Sequence, residues 1–302
     1  MEELKEFQIK NIENYIFNNA RDIEKAKWNY LFNNGNKKDI VSELVKYQND
    51  DGGFGNGLEA DNLLPASTSI ASTEAILIAY DYDLHCDEGW FEKLLMYFEK
   101  TIRNTPSFWE KVPKEVENFP HAPWWNYAAD TKFTPNPCAV VASAFIKYGN
   151  DAQRTLGNKI AARCIEFLKS EEECSDHDCY CLQRLFRVLK ELNSTLIDDA
   201  SIKSMERRIL ECLCTDEDKW MEYVSQPLDL VTSPKSDWYK LVKPFIEKNF
   251  LYWINTLKED GYWNPNFSWG VDSEIARNVT EIWKGYITVK IARVFKAFKY
   301  IS

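Results

Sequence analysis

Two carboxylates, Glu59 and Asp61, lie two positions apart at the end of a glycine-rich stretch, Asp51-Gly-Gly-Phe-Gly-Asn-Gly-Leu-Glu-Ala-Asp61. Glycine lets a backbone come close to a ligand. When two carboxyl groups are buried side by side, the pKa of one rises, so that one group serves as an acid and the other as a base. We predict that Glu59 and Asp61 are catalytic. The alternative is that they lie at a helix N-terminus and complement its dipole.

A third candidate is His121, one of three histidines, in the string Phe119-Pro-His-Ala-Pro-Trp-Trp-Asn126. The prolines on either side restrict the backbone, which suits a residue that must hold a proton-transfer group in place. We predict a catalytic role for His121; the alternative is a loop histidine whose ring is simply hydrogen-bonded. His85 and His177 lie near polar helix ends and are weaker candidates.

Aromatic residues are unusually frequent, with 11 Trp, 15 Tyr and 17 Phe. This composition indicates either a large aromatic-lined cavity or a core packed with aromatic rings. Aromatic faces stabilise cations and stack on sugars or apolar chains, so several residues in the loops are predicted to bind substrate. They are Phe54, Trp124, Trp125, Asn126, Trp263, Trp269, Glu281 and Trp283. Glu281 is either a third functional carboxylate or a solvated glutamate in a first helical turn, and Tyr223 and Asp229 are lesser candidates.

The eight cysteines do not predict a metal site. Five of them cluster, but Cys179-Tyr-Cys181 and Cys212-Leu-Cys214 have one-residue gaps, whereas structural zinc sites use gaps of about two to four. Cys181 and Cys212 also fit the apolar positions of amphipathic helices. Phosphate loops, dinucleotide fingerprints, Gly-x-Ser-x-Gly and His-Glu-x-x-His are absent from the sequence. We predict no metal and no cofactor.

Apolar residues recur at helical spacing along most of the chain, as in Cys181, Leu182, Leu185 and Leu189. Because two-residue alternation is absent and no Gly/Ser linker divides the chain, one all-α domain over residues 1–302 is predicted. Long loops over 50–66, 104–137 and 215–237, with a shorter one over 259–272, are rich in aromatic residues, Gly or Pro. The loops 50–66, 119–137 and 259–283 are predicted to meet at one end of the domain.

A short string occurs twice after predicted helices: Tyr47-Gln-Asn-Asp-Asp-Gly-Gly-Phe54 and Thr256-Leu-Lys-Glu-Asp-Gly-Tyr-Trp263. Gln48-x-x-x-Gly52-x-Phe54 resembles the Gln-Trp repeat of terpenoid cyclases, with Phe in place of Trp. The string from Asp51 to Asp61 is similar to the glycine-rich element of protein prenyltransferase β subunits. His121-Ala-Pro-Trp-Trp125 and Trp283-Lys-Gly285 resemble a bacterial branch of this superfamily. The resemblance implies an α/α toroid, in which outer and inner helices alternate around an aromatic-lined cavity.

The chemistry of those families is not implied, because their catalytic motifs are missing. The acid motif Asp-x-Asp-Asp and the magnesium motif Asp-Asp-x-x-Asp do not occur, Leu63 lies where prenyltransferases have Arg, and no zinc triad matches. The sequence predicts an enzyme that acts on a hydrophobic or isoprenoid-like substrate by acid–base chemistry. The alternatives are a non-catalytic toroid that binds a ligand or peptide, and a carbohydrate-active enzyme in which Glu59 works with a second carboxylate such as Glu281.

The net charge of −10 disfavours nucleic acid as a partner, because an acidic chain repels phosphate. No apolar run approaches the ~18 residues of a membrane-spanning helix, and the N-terminus is unlike a secretory signal. We therefore predict a cytoplasmic protein with a small apolar or sugar-like ligand. The glycine-rich loop also lacks Arg and Lys, so tight binding of prenyl diphosphates is not expected.

Overall fold

The computed structural model describes residues 3–84, 89–104 and 107–301, so the predicted minor candidate His85 lies outside the described residues. Helices dominate, which confirms the predicted all-α class. The α-helices of the described residues are α1 Glu6–Asn19, α2 Asp22–Phe32, α3 Lys37–Leu44, α4 Ser69–Tyr82, α5 Gly89–Thr101, α6 Pro135–Tyr148, α7 Asp151–Lys169, α8 Asp176–Glu191, α9 Asp199–Cys212, α10 Pro227–Leu230, α11 Tyr239–Thr256 and α12 Glu274–Ala297.

The long loops contain short ordered elements. The loop after α5 begins with a small antiparallel hairpin of β1, Arg103–Asn104, and β2, Ser107–Phe108. The same loop holds 3-10 helices over Lys114–Asn118 and Pro123–Trp125, and others occur over Val45–Tyr47 and Glu217–Lys219. Among the described residues no helix is long and apolar enough to span a membrane.

The chain divides into two compact units. The first unit combines both ends of the chain, residues 1–43 and 212–302, and the second unit is the continuous segment 44–211. The single domain expected from the sequence stays a prediction.

The second unit is built around α6, which packs against α4, α5, α7 and α8. Its residues are buried on every side, as a hydrophobic helix in the middle of a unit must be. Gly157 of α7 lets this helix approach closely, because a Cβ atom there would lie 2.9 Å from the Cβ of Phe145. The predicted apolar stripe of α8 is confirmed: Cys181, Leu182, Leu185 and Leu189 are buried.

In the first unit, α12 packs against α1 and α2, and α11 packs against α10. Gly285 of α12 faces Ala20 at the end of α1, where a Cβ atom on the glycine would lie 2.8 Å from the alanine Cβ. Phe250, Trp253 and Phe295 form an aromatic core with centroid separations of 4.9 to 6.2 Å. Part of the aromatic content is therefore packing.

Each unit contains one turn of the same design, which confirms the repeat predicted from the two similar strings. The N–H of Gly52 donates to the carbonyl of Asn49 at 2.9 Å, and Gly52 has a φ of +91°. The N–H of Gly261 donates to the carbonyl of Lys258 at 2.9 Å, and its φ is +87°. Glycine is favoured at both positions because other residues rarely adopt such a φ.

The aromatic residue after each turn is anchored in the same way. The N–H of Phe54 donates to Ser72 Oγ in α4 at 2.8 Å, and that of Trp263 donates to Thr288 Oγ1 in α12 at 3.2 Å. Their side chains are 0% and 2% exposed. Each following helix is then capped by a hydroxyl group, that of Thr68 for α4 and that of Ser273 for α12.

Candidate functional site

The glycine-rich loop that carries Glu59 and Asp61 is held in shape by hydrogen bonds from its own polar side chains. Asp51 Oδ1 accepts from the N–H of Gly53 at 2.9 Å and from Ser67 Oγ at 2.7 Å. Asn49 Nδ2 donates to the carbonyl of Pro65 at 3.0 Å. Both ends of the loop are thereby tied together, so that the carboxylates at its tip are carried by a defined backbone.

This loop pairs with the loop that carries His121. The N–H of Leu63 donates to the carbonyl of Pro120 at 3.0 Å, and the N–H of Ala122 donates to the carbonyl of Asp61 at 2.8 Å. Between these two bonds Asn62 and His121 form an antiparallel bridge. The structure thus brings together two of the three loops that were predicted to meet, 50–66 and 119–137, within the second unit.

Asp61 is buried, with 2% of its surface exposed, and Glu59 is partly buried. Neither residue lies in the first turn of the helix that follows, α4. The carbonyl of Glu59 accepts the N–H of Asn62 at 3.1 Å in a turn, and α4 begins only at Ser69 with Thr68 as its cap. The alternative of two carboxylates at a helix N-terminus is therefore wrong, whereas their catalytic role stays a prediction.

Both ring nitrogens of His121 are engaged. Nδ1 lies 2.7 Å from the carbonyl oxygen of Phe119, and Nε2 lies 2.9 Å from Oδ1 of Asn126. A carbonyl oxygen can only accept, so Nδ1 carries a proton. Nε2 then either donates to Asn126 as part of an imidazolium, or accepts from its amide group after a rotation that exchanges Oδ1 and Nδ2. The contact with Phe119 therefore fixes a proton on Nδ1, and Nε2 is the nitrogen that faces the Asn126 amide.

Asn62 is a residue that the sequence did not single out. Its side chain is 3% exposed, and its Oδ1 accepts the N–H of Leu64 at 3.1 Å. Asn62 and His121 form a non-hydrogen-bonded antiparallel pair, since the hydrogen bonds connect the residues on either side of them. In such a pair the two side chains lie on the same face, with Cβ atoms roughly 4.5–5.5 Å apart. Asn62 is thus the immediate neighbour of His121.

An apolar cluster supports the paired loops. Leu64, Val112 and Val116 are buried together, and the partly buried Trp125 and Tyr127 pack against them. The predicted binding residue Trp124 is 46% exposed to solvent. Trp125 therefore belongs to the apolar floor of the loop pair, while Trp124 and Asn126 lie at its exposed edge.

Phe54 and Trp263, both predicted to bind substrate, have the contacts of core residues. Phe54 is fully buried and meets Trp90 edge to face at 6.2 Å. Trp263 donates its indole N–H to the carbonyl of Trp253 at 2.7 Å and stacks on Phe295. For these two residues the structure favours the packing alternative over a ligand contact.

The remaining predicted residues lie in the first unit, on α12 and the loop before it. Trp283 meets Phe267 at 5.2 Å and Tyr286 at 5.0 Å, so that their rings form a continuous aromatic group. Glu281 is 56% exposed and pairs with Lys284 at 2.6 Å, which supports the interpretation of a solvated glutamate. The predicted place in a first helical turn is wrong, because α12 begins at Glu274. Trp269 is partly buried.

The lesser candidate Asp229 has a structural role. Its Oδ1 accepts from Lys290 Nζ at 2.9 Å, and its Oδ2 accepts the N–H of Gln226 at 3.2 Å, which closes a capping box at the start of α10. Tyr223, the other lesser candidate, is 62% exposed and lies edge to face with Phe267 at 5.7 Å.

The cysteines of the described residues are free thiols. In the same part of the chain, no group of three or more His, Cys, Asp or Glu side chains is arranged to hold a metal ion. Burial raises the pKa of Cys138 to about 12 and that of Cys181 further, so these thiols stay protonated near neutral pH and are poor nucleophiles.

No protein-family model, curated protein or solved structure matches the chain. The likeness to terpenoid cyclases and prenyltransferases therefore rests on the sequence motifs alone.

Proposed function

We propose that the chain is an enzyme that performs acid–base chemistry on a hydrophobic, isoprenoid-like substrate at the paired loops 50–66 and 119–127. The observation that carries this proposal is the backbone pairing of Asn62 with His121, which joins a buried carboxylate, Asp61, to a histidine loop. Acid–base catalysis needs two proton-transfer groups held on one rigid support. Two loops joined by backbone hydrogen bonds are such a support.

The two groups have different tasks in this proposal. His121 exchanges its proton at Nε2, because the Asn126 amide beside that nitrogen can either donate or accept, whereas the Phe119 carbonyl beside Nδ1 can only accept. Asp61, and Glu59 beside it, supplies the carboxylate partner. The buried cluster of Leu64, Val112 and Val116 supports the partly buried Trp125, and the ring of Trp125 offers the surface on which an apolar substrate rests.

The α/α toroid is part of the same proposal. Its support is the repeated turn, which in each unit connects a helix to a buried aromatic residue and then to a capped helix. Small-angle scattering tests it, because a closed, compact chain of 302 residues should have a radius of gyration of about 19 Å. An open helical solenoid would give a clearly larger value.

A non-catalytic binding protein is the second candidate, and the engagement of both His121 nitrogens favours it. A histidine bonded to Phe119 and Asn126 is what a loop needs for its own stability, without any chemistry. In that case the loops would bind an apolar ligand by its shape and leave it unchanged.

The deciding experiment follows binding and chemistry separately. Thermal shift with farnesol, farnesyl diphosphate and several oligosaccharides first finds the compounds that stabilise the full chain. Each stabilising compound is then incubated with the protein in D2O, and its mass is followed for deuterium uptake or rearrangement. Turnover of a compound, and a lower turnover in the Asp61→Asn variant, would support the enzyme. Stabilisation by a compound that stays unchanged would support the binding protein.

A further inference from the structure

Asn62 holds two N–H groups that have no acceptor among the described residues. Its Nδ2 atom is buried and makes no hydrogen bond, and the residue as a whole is only 3% exposed. The orientation of the amide is fixed by chemistry, because a backbone N–H such as that of Leu64 can bond only to the oxygen, Oδ1. Leaving a buried donor unpaired is unfavourable, and such groups in native proteins call for an explanation.

A second donor of the same kind lies on the partner loop. The indole Nε1 of Trp125 is buried and has no acceptor within the described parts of the chain. Trp125 packs against the cluster that contains Leu64, the residue to which Asn62 is bonded. Trp125 and Leu64 thus share one apolar cluster, Asn62 is bonded to Leu64, and Asn62 is also the bridge partner of His121.

We propose that Asn62 Nδ2 and Trp125 Nε1 bind a carbonyl oxygen of an otherwise apolar ligand. This inference deepens the proposed function, on which it rests for the location of the site. An amide and an indole carry no charge, and the acidic side chains of Glu59, Asp61 and Glu117 on the same loops disfavour an anion. A carbonyl oxygen has two acceptor positions and no proton of its own, which matches donors that need acceptors. The partly buried rings of Trp125 and Tyr127, which pack on the apolar cluster, receive the rest of the molecule.

Nuclear magnetic resonance can observe both donors directly in the full chain labelled with 15N. The probe is 2-octanone, and its control is 2-methyl-1-octene, in which a CH2 group replaces the oxygen at nearly the same shape. The spectrum of Trp125→Phe identifies the indole signal, and that of Asn62→Asp identifies the amide pair. With the ketone, the Trp125 and Asn62 proton signals should move downfield saturably, whereas the alkene should not move them downfield.

Affinity measurements on the same variants provide the second readout. Trp125→Phe keeps an aromatic ring but lacks the N–H, and Asn62→Asp keeps an acceptor for Leu64 but lacks both N–H groups. Loss of one donor should weaken 2-octanone binding by roughly five- to tenfold. Binding of 2-methyl-1-octene to Trp125→Phe should change far less, because the apolar contacts remain.

Equal shifts with ketone and alkene, or no saturable shift with either, would overturn the proposal and leave ordered water as the partner of both donors. Equal weakening of both ligands by Trp125→Phe would overturn it as well. The two proposals can fail separately. Selective ketone binding without any turnover in D2O retains the subsite and rejects the enzyme, whereas turnover without selective ketone binding does the reverse.

Discussion

Asp61 combines burial with a place directly beside the His121 loop, which makes it the carboxylate whose removal should matter most. An asparagine at this position keeps the size of the side chain but cannot exchange a proton. Asp61→Asn should therefore lower the rate of deuterium uptake by any substrate found in the D2O assay by ~100-fold or more. If the chain is a binding protein, no deuterium uptake occurs, and only the ligand affinities of the variant and the unmodified protein can be compared.

The control for this substitution is Glu115→Gln, which neutralises an exposed carboxylate in the neighbouring 3-10 helix Lys114–Asn118. It should leave the rate within about twofold, since exposed charges away from a site act weakly. Circular dichroism of both variants shows whether each is folded. Full activity in a folded Asp61→Asn protein would remove Asp61 from the proposed mechanism.

A second buried carboxylate, Glu24 of α2, serves stability. It is fully buried and accepts from Nε and Nη2 of Arg21 at 2.9 Å each, with Lys27 Nζ at 3.6 Å. Burial acts to raise the pKa of Glu24, but the charges of Arg21 and Lys27 outweigh it and hold that pKa below its usual range. The ion pairs are thus expected to stabilise the first unit while Glu24 is ionised.

The sign of the pH effect follows from this lowered pKa. The stabilisation is complete above the ordinary glutamate pKa of about 4.3 and is lost as the pH falls through the lower folded-state value. Glu24→Gln should destabilise the protein by about 3 kcal/mol near neutral pH, because it removes the buried carboxylate charge that pairs with Arg21 and Lys27. Urea unfolding between pH 7 and pH 3 should show this difference shrinking in acid, and a difference that grows in acid would contradict the assignment.

At the scale of elements, the two repeated turns depend on glycine for two separate reasons. Gly52 and Gly261 have positive φ, and each also lies against the backbone of a helix, α5 at Lys93 and α1 at Asn11. Gly270 has a φ of +73° but open space around its Cβ position. A comparison of substitutions at these three glycines therefore distinguishes the cost of a positive φ from the cost of a steric clash with a helix.

Alanine at Gly270 should cost about 1 kcal/mol, because only the strain of a left-handed conformation applies. Alanine at Gly52 or Gly261 should cost at least about 2–3 kcal/mol more, since the added Cβ would push a helix away from the turn. Chemical unfolding of the three variants measures the difference. Equal losses at all three positions would mean that the helices adjust freely and that the close approach is not required.

Much of this element-scale structure could be predicted from the sequence. The helical class follows from apolar spacing, and the repeated turn follows from Asp-Gly before an aromatic residue. The sequence pattern could not show where the aromatic side chain after each turn lies. Phe54 and Trp263 are buried in the cores of their units, but an aromatic residue that lines a cavity would have the same sequence pattern. Phe7 fits the apolar stripe of α1 but is 61% exposed, because spacing does not reveal where a packing partner ends.

Asn62 could not be recognised from the sequence for a related reason. Its Oδ1 atom accepts the backbone N–H of Leu64, and its buried Nδ2 atom has no acceptor among the described residues. These two features are what make the residue important. An asparagine in a loop is common, and neither its burial nor its pairing with His121 has a local sequence signal. The proximity of the two loops was predicted from the sequence, whereas the unpaired donors on them were found only from the structure.

At the scale of the whole molecule, the net charge of −10 bears on which ligands the chain accepts. The glycine-rich loop repeats this bias locally, with Glu59 and Asp61 and no Arg or Lys between Lys46 and Lys93. Diphosphate binding needs cationic side chains or magnesium held by clustered carboxylates. We therefore predict that farnesyl diphosphate, with or without magnesium, stabilises the protein less than farnesol does.

Thermal unfolding of the full chain with farnesol, farnesyl diphosphate, and each of these with magnesium or with excess chelator, checks this prediction. Repulsion between a diphosphate and the carboxylates of the loop, at an effective dielectric constant near 20, amounts to a few kcal/mol at contact distance. That is enough to offset the affinity of the same hydrocarbon tail, so farnesol should give the larger shift and chelator should change nothing. A large shift with the diphosphate that appears only with magnesium would instead mean that carboxylates such as Glu59 and Asp61 gather around the ion when substrate arrives, and the chemistry would then be that of a synthase.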